Sequence, residues 1–280
     1  MSSAQFCPIS KLDKLLLATD RSTFSEGAVR EAINFAKKCS SRLSVMSVLE
    51  TNPEYETIGA SAYQKEEEEA MKYLESVKTR ASQEGLDYCE AVLHYGEEPY
   101  RLIVNEAAEK KIDMIIIGRR GRSGLMKVLM GQVAAKVIGH APCKVLVVPR
   151  AARIECKNVL IATDGSEHSI AAASEAIGIA KRCGSYITAV SSAYSESELE
   201  EAKANVKQVV EMAQKEGILV EALTPIGRSH DVIVETAGGR GVDLIVMGTY
   251  GKTGLKKLLM GSSTEKVIGH ASCGVLVASA

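Results

Sequence analysis

The residues best equipped for chemistry lie between positions 248 and 264, in the stretch GTYGKTGLKKLLMGSST. Gly248, Gly251, Gly254 and Gly261 alternate with Lys252, Lys256 and Lys257, and the stretch closes on the hydroxyls of Ser262, Ser263 and Thr264. All of this comes directly after an apolar run, VDLIVM. Glycine lets a backbone come close to a ligand. Ser262 with Glu265 three residues later predicts a capping box at a helix start. The unpaired N–H groups of such a first turn attract anions. The lysines add local positive charge to a chain whose net charge is only −1. Together these residue types suit a polyanion, with phosphate as the natural candidate.

Two known phosphate grips do not fit. A P-loop ending in Gly251-Lys252-Thr253 would need glycine at position 246, which is Val246. The dinucleotide fingerprint G-x-G-x-x-G is absent as well.

The elements that must position this stretch come from a repeat. KLLLATDRSTFSEGAVREAINFAKKCSSRLSV at 14–45 reads again as NVLIATDGSEHSIAAASEAIGIAKRCGSYITA at 158–189. IDMIIIGRRGRSGLMKVLMGQVAAKVIGHAPCKVLVV at 112–148 reads again as VDLIVMGTYGKTGLKKLLMGSSTEKVIGHASCGVLVA at 242–278. The period is too long for a solenoid unit and fits two domains of roughly 140 residues. We place them at 1–150 and 151–280, joined near PRAARIECK.

Each copy alternates strand and helix patterns. In the second, NVLIAT, YITAVSS, LVEALTPIG, VDLIVMG and GVLVAS read as strands. Between them, HSIAAASEAIGIAKRCG, SESELEEAKANVKQVVEMAQKEG, SHDVIVETAGGRG and SSTEKVIGH read as helices. Strands rich in Val, Ile and Leu alternating with helices predict an α/β fold, a parallel sheet covered on both faces and doubly wound. Such sheets bind ligands beyond the carboxyl ends of their strands. The first copy carries extra residues, TNPEYETIGASAYQKEEEE, which read as a solvated loop running into an acidic helix start, with a lid as the alternative.

Composition narrows the function classes. The near-zero net charge, three phenylalanines and absence of tryptophan argue against nucleic acid as a partner, even at the basic stretch GRRGR at 118–122. No apolar run approaches the roughly 20 residues that span a bilayer, so no membrane association is expected. The N-terminus lacks an export signal, and seven cysteines, an odd count without metal-ligand spacing, predict reduced thiols in a cytoplasmic protein.

The spacing Gly248, Gly251, Gly261, Ser262, the continuation STEKVIGHASCGVLV and the stretch LIATDGSEHS at 160–169 resemble the universal stress protein family, once per half. The resemblance implies two tandem five-stranded domains of the adenine nucleotide alpha hydrolase-like kind, pairing through their last strands into an intramolecular pseudo-dimer. It also implies ATP, or AMP or ADP, as ligand. Carried over by position, Ala162, Thr163 and Asp164 would border the adenine and ribose, and Ser192 would touch the base. Met247 and Gly248 would lie under the nucleotide. Gly251, Gly261, Ser262, Ser263 and Thr264 would hold ribose and phosphates, and Asp164 could share a magnesium ion with them.

The first half keeps Asp20, Gly118, Gly121 and Gly131, but Gln132 and Ala134 stand where the second has Ser262 and Thr264. It is therefore expected to be the weaker site, with Arg119, Arg120 and Arg122 as its charge. Equipment for turnover is scarce, so at most slow ATP hydrolysis is expected. His140 and His270 repeat in KVIGHA and are expected to serve helix ends; His168 reads as a solvated helix start. Two functions are open: an ATP-binding stress-response module, or a scaffold that uses the paired halves for protein interaction. Self-association through the last strands of each half is expected, with a homodimer as a further expectation.

Overall fold

The computed structural model describes residues 7–10, 12–51, 60–121, 130–251 and 260–278. The first half runs β1 (Lys14–Ala18), α1 (Glu26–Cys39), β2 (Arg42–Leu49), α2 (Ala60–Gln83), β3 (Cys89–Tyr95), α3 (Pro99–Glu109), β4 (Met114–Gly118), α4 (Gln132–His140) and β5 (Lys144–Val148). The second repeats it as β6 (Asn158–Ala162), α5 (Glu167–Cys183), β7 (Tyr186–Val190), α6 (Leu199–Lys215), β8 (Val220–Leu223), α7 (Ser229–Gly239), β9 (Leu244–Gly248), α8 (Ser262–His270) and β10 (Gly274–Ala278).

The strands form one sheet in the order β3-β2-β1-β4-β5-β10-β9-β6-β7-β8. Within each half every pairing is parallel. The halves join by the last strands, β5 and β10, in an antiparallel pair centred on Leu146 and Leu276. The last-strand pairing expected from the resemblance is thus made inside one chain.

Strand alternation sorts the side chains into two apolar layers. Leu15, Leu17, Ile116, Leu146, Ile161, Val246 and Leu276 face α1, α2, α5 and α6. Leu16, Ile115, Ile117, Val145, Leu160, Ile245 and Val275 face the other four helices. Both layers run without a break across the junction of the halves. Strands buried on both faces read as unbroken Val, Ile and Leu runs for this reason.

The ends of α5 match the sequence closely. The Ser166 side chain caps α5 by accepting from the Ser169 N–H, and Gly184 ends it at a φ of 67°. The strand expected over 219–227 is confined to Val220–Leu223, an edge strand. The extra segment of the first half falls partly outside the described residues; its later part belongs to the long α2.

Matching carboxylates tie the start of each half's sheet. Asp243, ahead of β9, accepts the N–H groups of Cys156, Lys157 and Asn158 at 2.7, 2.8 and 3.0 Å. Asp113, ahead of β4, accepts those of Asp13 and Lys14, both at 2.8 Å.

The expectation of seven reduced thiols is corrected: Cys7 and Cys39 form a disulfide, and Cys89, Cys143, Cys156, Cys183 and Cys273 are free. Folding brings the pair together across 32 residues. The segment entering β1 runs beside the end of α1, where the Ser41 hydroxyl donates to the Leu12 carbonyl and the Arg42 N–H donates to that of Asp13 at 2.8 Å. Among the described residues no helix is long and apolar enough to cross a membrane.

Candidate functional site

In the second half the strand order reverses between β6 and β9, and a cavity of about 340 Å³ opens beyond their carboxyl ends. Ala162, Thr163, Asp164, Ser192, Met247, Gly248, Gly251, Gly261, Ser262, Ser263 and Thr264 all line it. Eleven residues chosen from four separate stretches of sequence therefore converge on one space. Lys252, Lys256, Lys257 and Gly254 lie outside the described residues.

The turn after β6 places the acid. Thr163 Oγ1 accepts the Gly165 N–H at 3.2 Å and shares a hydrogen bond with Ser169 Oγ at 3.1 Å. Asp164 Oδ1 accepts the Ser166 N–H at 3.1 Å, which fixes the carboxylate over the glycine loop. The loop must be bare there. A β-carbon on Gly251 would sit 2.3 Å from Asp164 Oδ2, and one on Gly248 would sit 2.8 Å from the backbone of His168. The His168 ring meets that of Tyr250 edge-on at 5.5 Å.

The start of α8 differs from the expected capping box. Gly261, extended at φ −66° and ψ 140°, is the N-cap, and no side chain caps the helix. Ser262 is already helical. The Gly261 N–H donates to the Thr249 carbonyl at 3.0 Å, so one glycine both closes the loop and starts the helix. With no capping side chain, the first-turn N–H groups face the requirement every helix start has, a partner from outside the helix. Thr264 is buried, and its hydroxyl donates to the Gly248 carbonyl at 3.1 Å. It lines the cavity while pinning α8 to the end of β9.

Other lining residues escaped the sequence reading. Val190 and Ile233 join Ala162 and Met247 as an apolar floor. Ser192 donates its hydroxyl proton to Ser229 at 2.7 Å, and Asn205 donates to Ser191 at 3.2 Å. Tyr194, Glu198 and Glu201 stand at the α6 side. The Tyr194 N–H donates to Glu198 at 3.0 Å. Their distance in sequence from the glycine loop left no local signal.

The first half repeats the frame and changes the contents. Asp20 Oδ1 accepts from the Ser22 N–H at 3.2 Å and the Ser22 hydroxyl at 2.8 Å. Gly118 ends β4, and a β-carbon on Gly121 would lie 3.2 Å from Asp20 Oδ2. Gly131 caps α4 as Gly261 caps α8, and its N–H donates to the Arg119 carbonyl at 2.9 Å. Ala134 leaves that helix without the threonine pin. Arg21, at a φ of 67°, replaces Gly165. Its side chain, only 7 % exposed, pairs with Glu66 of α2 at 3.1 Å. Glu66 takes the place of Glu198, counted back from the glycines that come after α2 and α6. In the first half an ion pair therefore ties the turn after β1 to α2, where the second half has a glycine in that turn.

The arginines of GRRGR also part company. Arg119 donates to the Ala271 carbonyl of the other half at 2.7 Å. Burial, with Arg120 beside it, holds its guanidinium below the usual value. Arg122 lies outside the described residues. His140 and His270 each meet, through Nδ1, the carbonyl one turn back, Lys136 at 2.7 Å and Lys266 at 2.8 Å, and so serve the ends of α4 and α8.

Comparison with known proteins adds four findings. The model of the universal stress protein family matches residues 11–149 and again 155–279. A universal stress protein of Methanocaldococcus jannaschii is 39 % identical over 137 residues, covering 43 % of this chain and 81 % of that protein. One from Bacillus subtilis is 32 % identical over 147 residues, covering 49 % and 98 %. Among solved structures, a universal stress protein from Archaeoglobus fulgidus shares the fold with a TM-score of 0.80 at 22 % identity, over 97 % of this chain and 98 % of that one. Matched in both halves, the chain belongs to the universal stress protein family, with two copies of the family domain in tandem.

Proposed function

We propose that the second half is an adenine-nucleotide site, taking ATP or its di- and monophosphates, and that the protein is a nucleotide-dependent module of a stress response. The observation that carries this reading is the convergence of Asp164, the glycine loop and the uncapped start of α8 on one cavity. The apolar floor suits a base, the serines and Asn205 suit a ribose, and first-turn amides suit phosphate. Magnesium is commonly held by one or two carboxylates together with substrate phosphates. Asp164, fixed by the Ser166 N–H beside the loop, fits that requirement and would hold the ion. A switch results if two conformations of the protein differ in nucleotide affinity.

The first half is proposed to stay empty of nucleotide, because Gln132 and Ala134 replace the hydroxyls of Ser262 and Thr264 and Arg21 replaces Gly165 in the turn after the first strand. Calorimetry with ATP and magnesium should give one nucleotide per chain. Gly261→Val should lose binding, while Gly131→Val, its first-half counterpart, should keep it. Equal affinity of wild type and Gly261→Val would remove the site; loss on Gly131→Val alone would move it to the first half. A homodimer would need a surface other than the last strands, since these pair within the chain.

A further inference from the structure

The end of α5 and the segment entering β6 bring two thiols together. Cys183 is the last residue of α5 and is exposed. Cys156, two residues ahead of β6, is 2 % exposed and sits at a φ of 55°. The backbone explains their approach. Just past Cys183, the Ser185 hydroxyl donates to the Cys156 carbonyl and the Tyr186 N–H donates to that of Lys157 at 2.8 Å. These contacts bring the two thiols close enough for each to shift the other's protonation.

The first half builds the same junction with a different partner. Ser41 meets Leu12 as Ser185 meets Cys156, so Leu12 stands where the second half has a cysteine. Cys39, the counterpart of Cys183, is bonded to Cys7 instead. Each half thus supplies a second sulfur to the end of its first helix. The two junctions are neighbours, since Arg182 Nε donates to the Pro8 carbonyl at 3.0 Å.

We propose that Cys156 and Cys183 are a redox-active pair that closes to a second disulfide by exchange with a low-molecular-weight disulfide of the glutathione type. The exposed Cys183 thiolate attacks one sulfur of the incoming disulfide, whose S–S bond breaks and releases the first small thiolate. Cys156 then attacks Cys183 Sγ and expels the second. The protons of the two protein thiols end on the two released thiols. Two protein thiols are oxidised and one disulfide is reduced.

The surroundings divide the labour. The neighbouring Cys156 thiol, with Arg182 and Lys38 nearby, lowers Cys183 to about 7, against the opposing effects of burial and Asp243. Cys183 in turn, with burial and Asp243, holds the proton on Cys156. Once Cys183 is capped its negative charge is gone, and the largest influence retaining that proton goes with it. Burial pushes Cys89 and Cys273 up to about 11 and Cys143 up to about 12, so oxidation should select the pair.

The test is to incubate the full chain with glutathione disulfide near neutral pH, quench by alkylation and map the peptides. Wild type should yield a Cys156–Cys183 linked peptide, Cys156→Ala should accumulate glutathione on Cys183, and Cys183→Ser should leave Cys156 unmodified. Because Cys156 is buried, a second readout guards against misfolding: Cys183 alkylation in wild type should show an inflection near pH 7. Cys156→Ala should react about tenfold more slowly there. Glutathione remaining on wild-type Cys183 without a linked peptide, Cys183 joined between chains, or Cys156 modified equally fast in Cys183→Ser would each overturn the proposal.

Discussion

Gly251→Ala should weaken ATP binding by about ten- to a hundredfold, and Gly251→Val should remove it from the calorimetric range. The added β-carbon meets Asp164 Oδ2 at 2.3 Å, far inside contact distance. The backbone of the loop and the turn after β6 hold both partners, so the carboxylate must swing away and give up the Ser166 N–H. Losing one charge-assisted contact to ligand or metal costs about 1.5–3 kcal/mol, and each 1.4 kcal/mol is about tenfold in affinity. The valine methyls would in addition intrude on the cavity. The first half supplies the control. At Gly121 the same carbon would stand 3.2 Å from Asp20, so Gly121→Ala should leave ATP affinity unchanged. An unaltered affinity in Gly251→Val would show that nucleotide does not need this loop.

The largest loss of stability outside the apolar layers is expected at Asp243. Its carboxylate receives three consecutive backbone N–H groups at the entry to β6. Asp243→Ala leaves them without that acceptor in a half-buried position. With hydrogen bonds to a charged group at about 1.5–3 kcal/mol each and partial rescue by water, the net cost should reach about 3–5 kcal/mol. At about 2–4 °C per kcal/mol in a chain of this size, melting should fall by roughly 10 °C. Asp113→Ala, which strands two N–H groups, should cost less. Thermal unfolding followed by circular dichroism checks the ranking, and equal melting of wild type and Asp243→Ala would contradict it.

Much of the fold was legible because its signals are local. Runs such as VDLIVMG are buried on both faces, and Gly184 stops α5 by its left-handed backbone. The repeat then carried both halves at once. In the site, residues at strand ends were readable because a parallel α/β sheet always offers that place to a ligand. What stayed hidden depends on packing between distant segments. Nothing near Glu198, Glu201 or Asn205 announces that α6 leans over the cavity. The serine-glutamate spacing at 262–265 suggests a capping box, yet Gly261 takes the cap because its N–H is already bound to Thr249. Arg21 looks like an ordinary turn residue until Glu66 is seen beside it. The Cys7–Cys39 bond was missed for the same reason, since a 32-residue separation says nothing about which ends of a fold meet.

The antiparallel pairing of β5 with β10 carries one more consequence. Two separate copies of such a domain would find each other only at sufficient concentration, whereas a short covalent link keeps the partner at an effective concentration on the order of millimolar. Dilution therefore cannot part these halves. The last strands are already spent on each other, so the outer edges the sheet still offers are those of its end strands, β3 and β8.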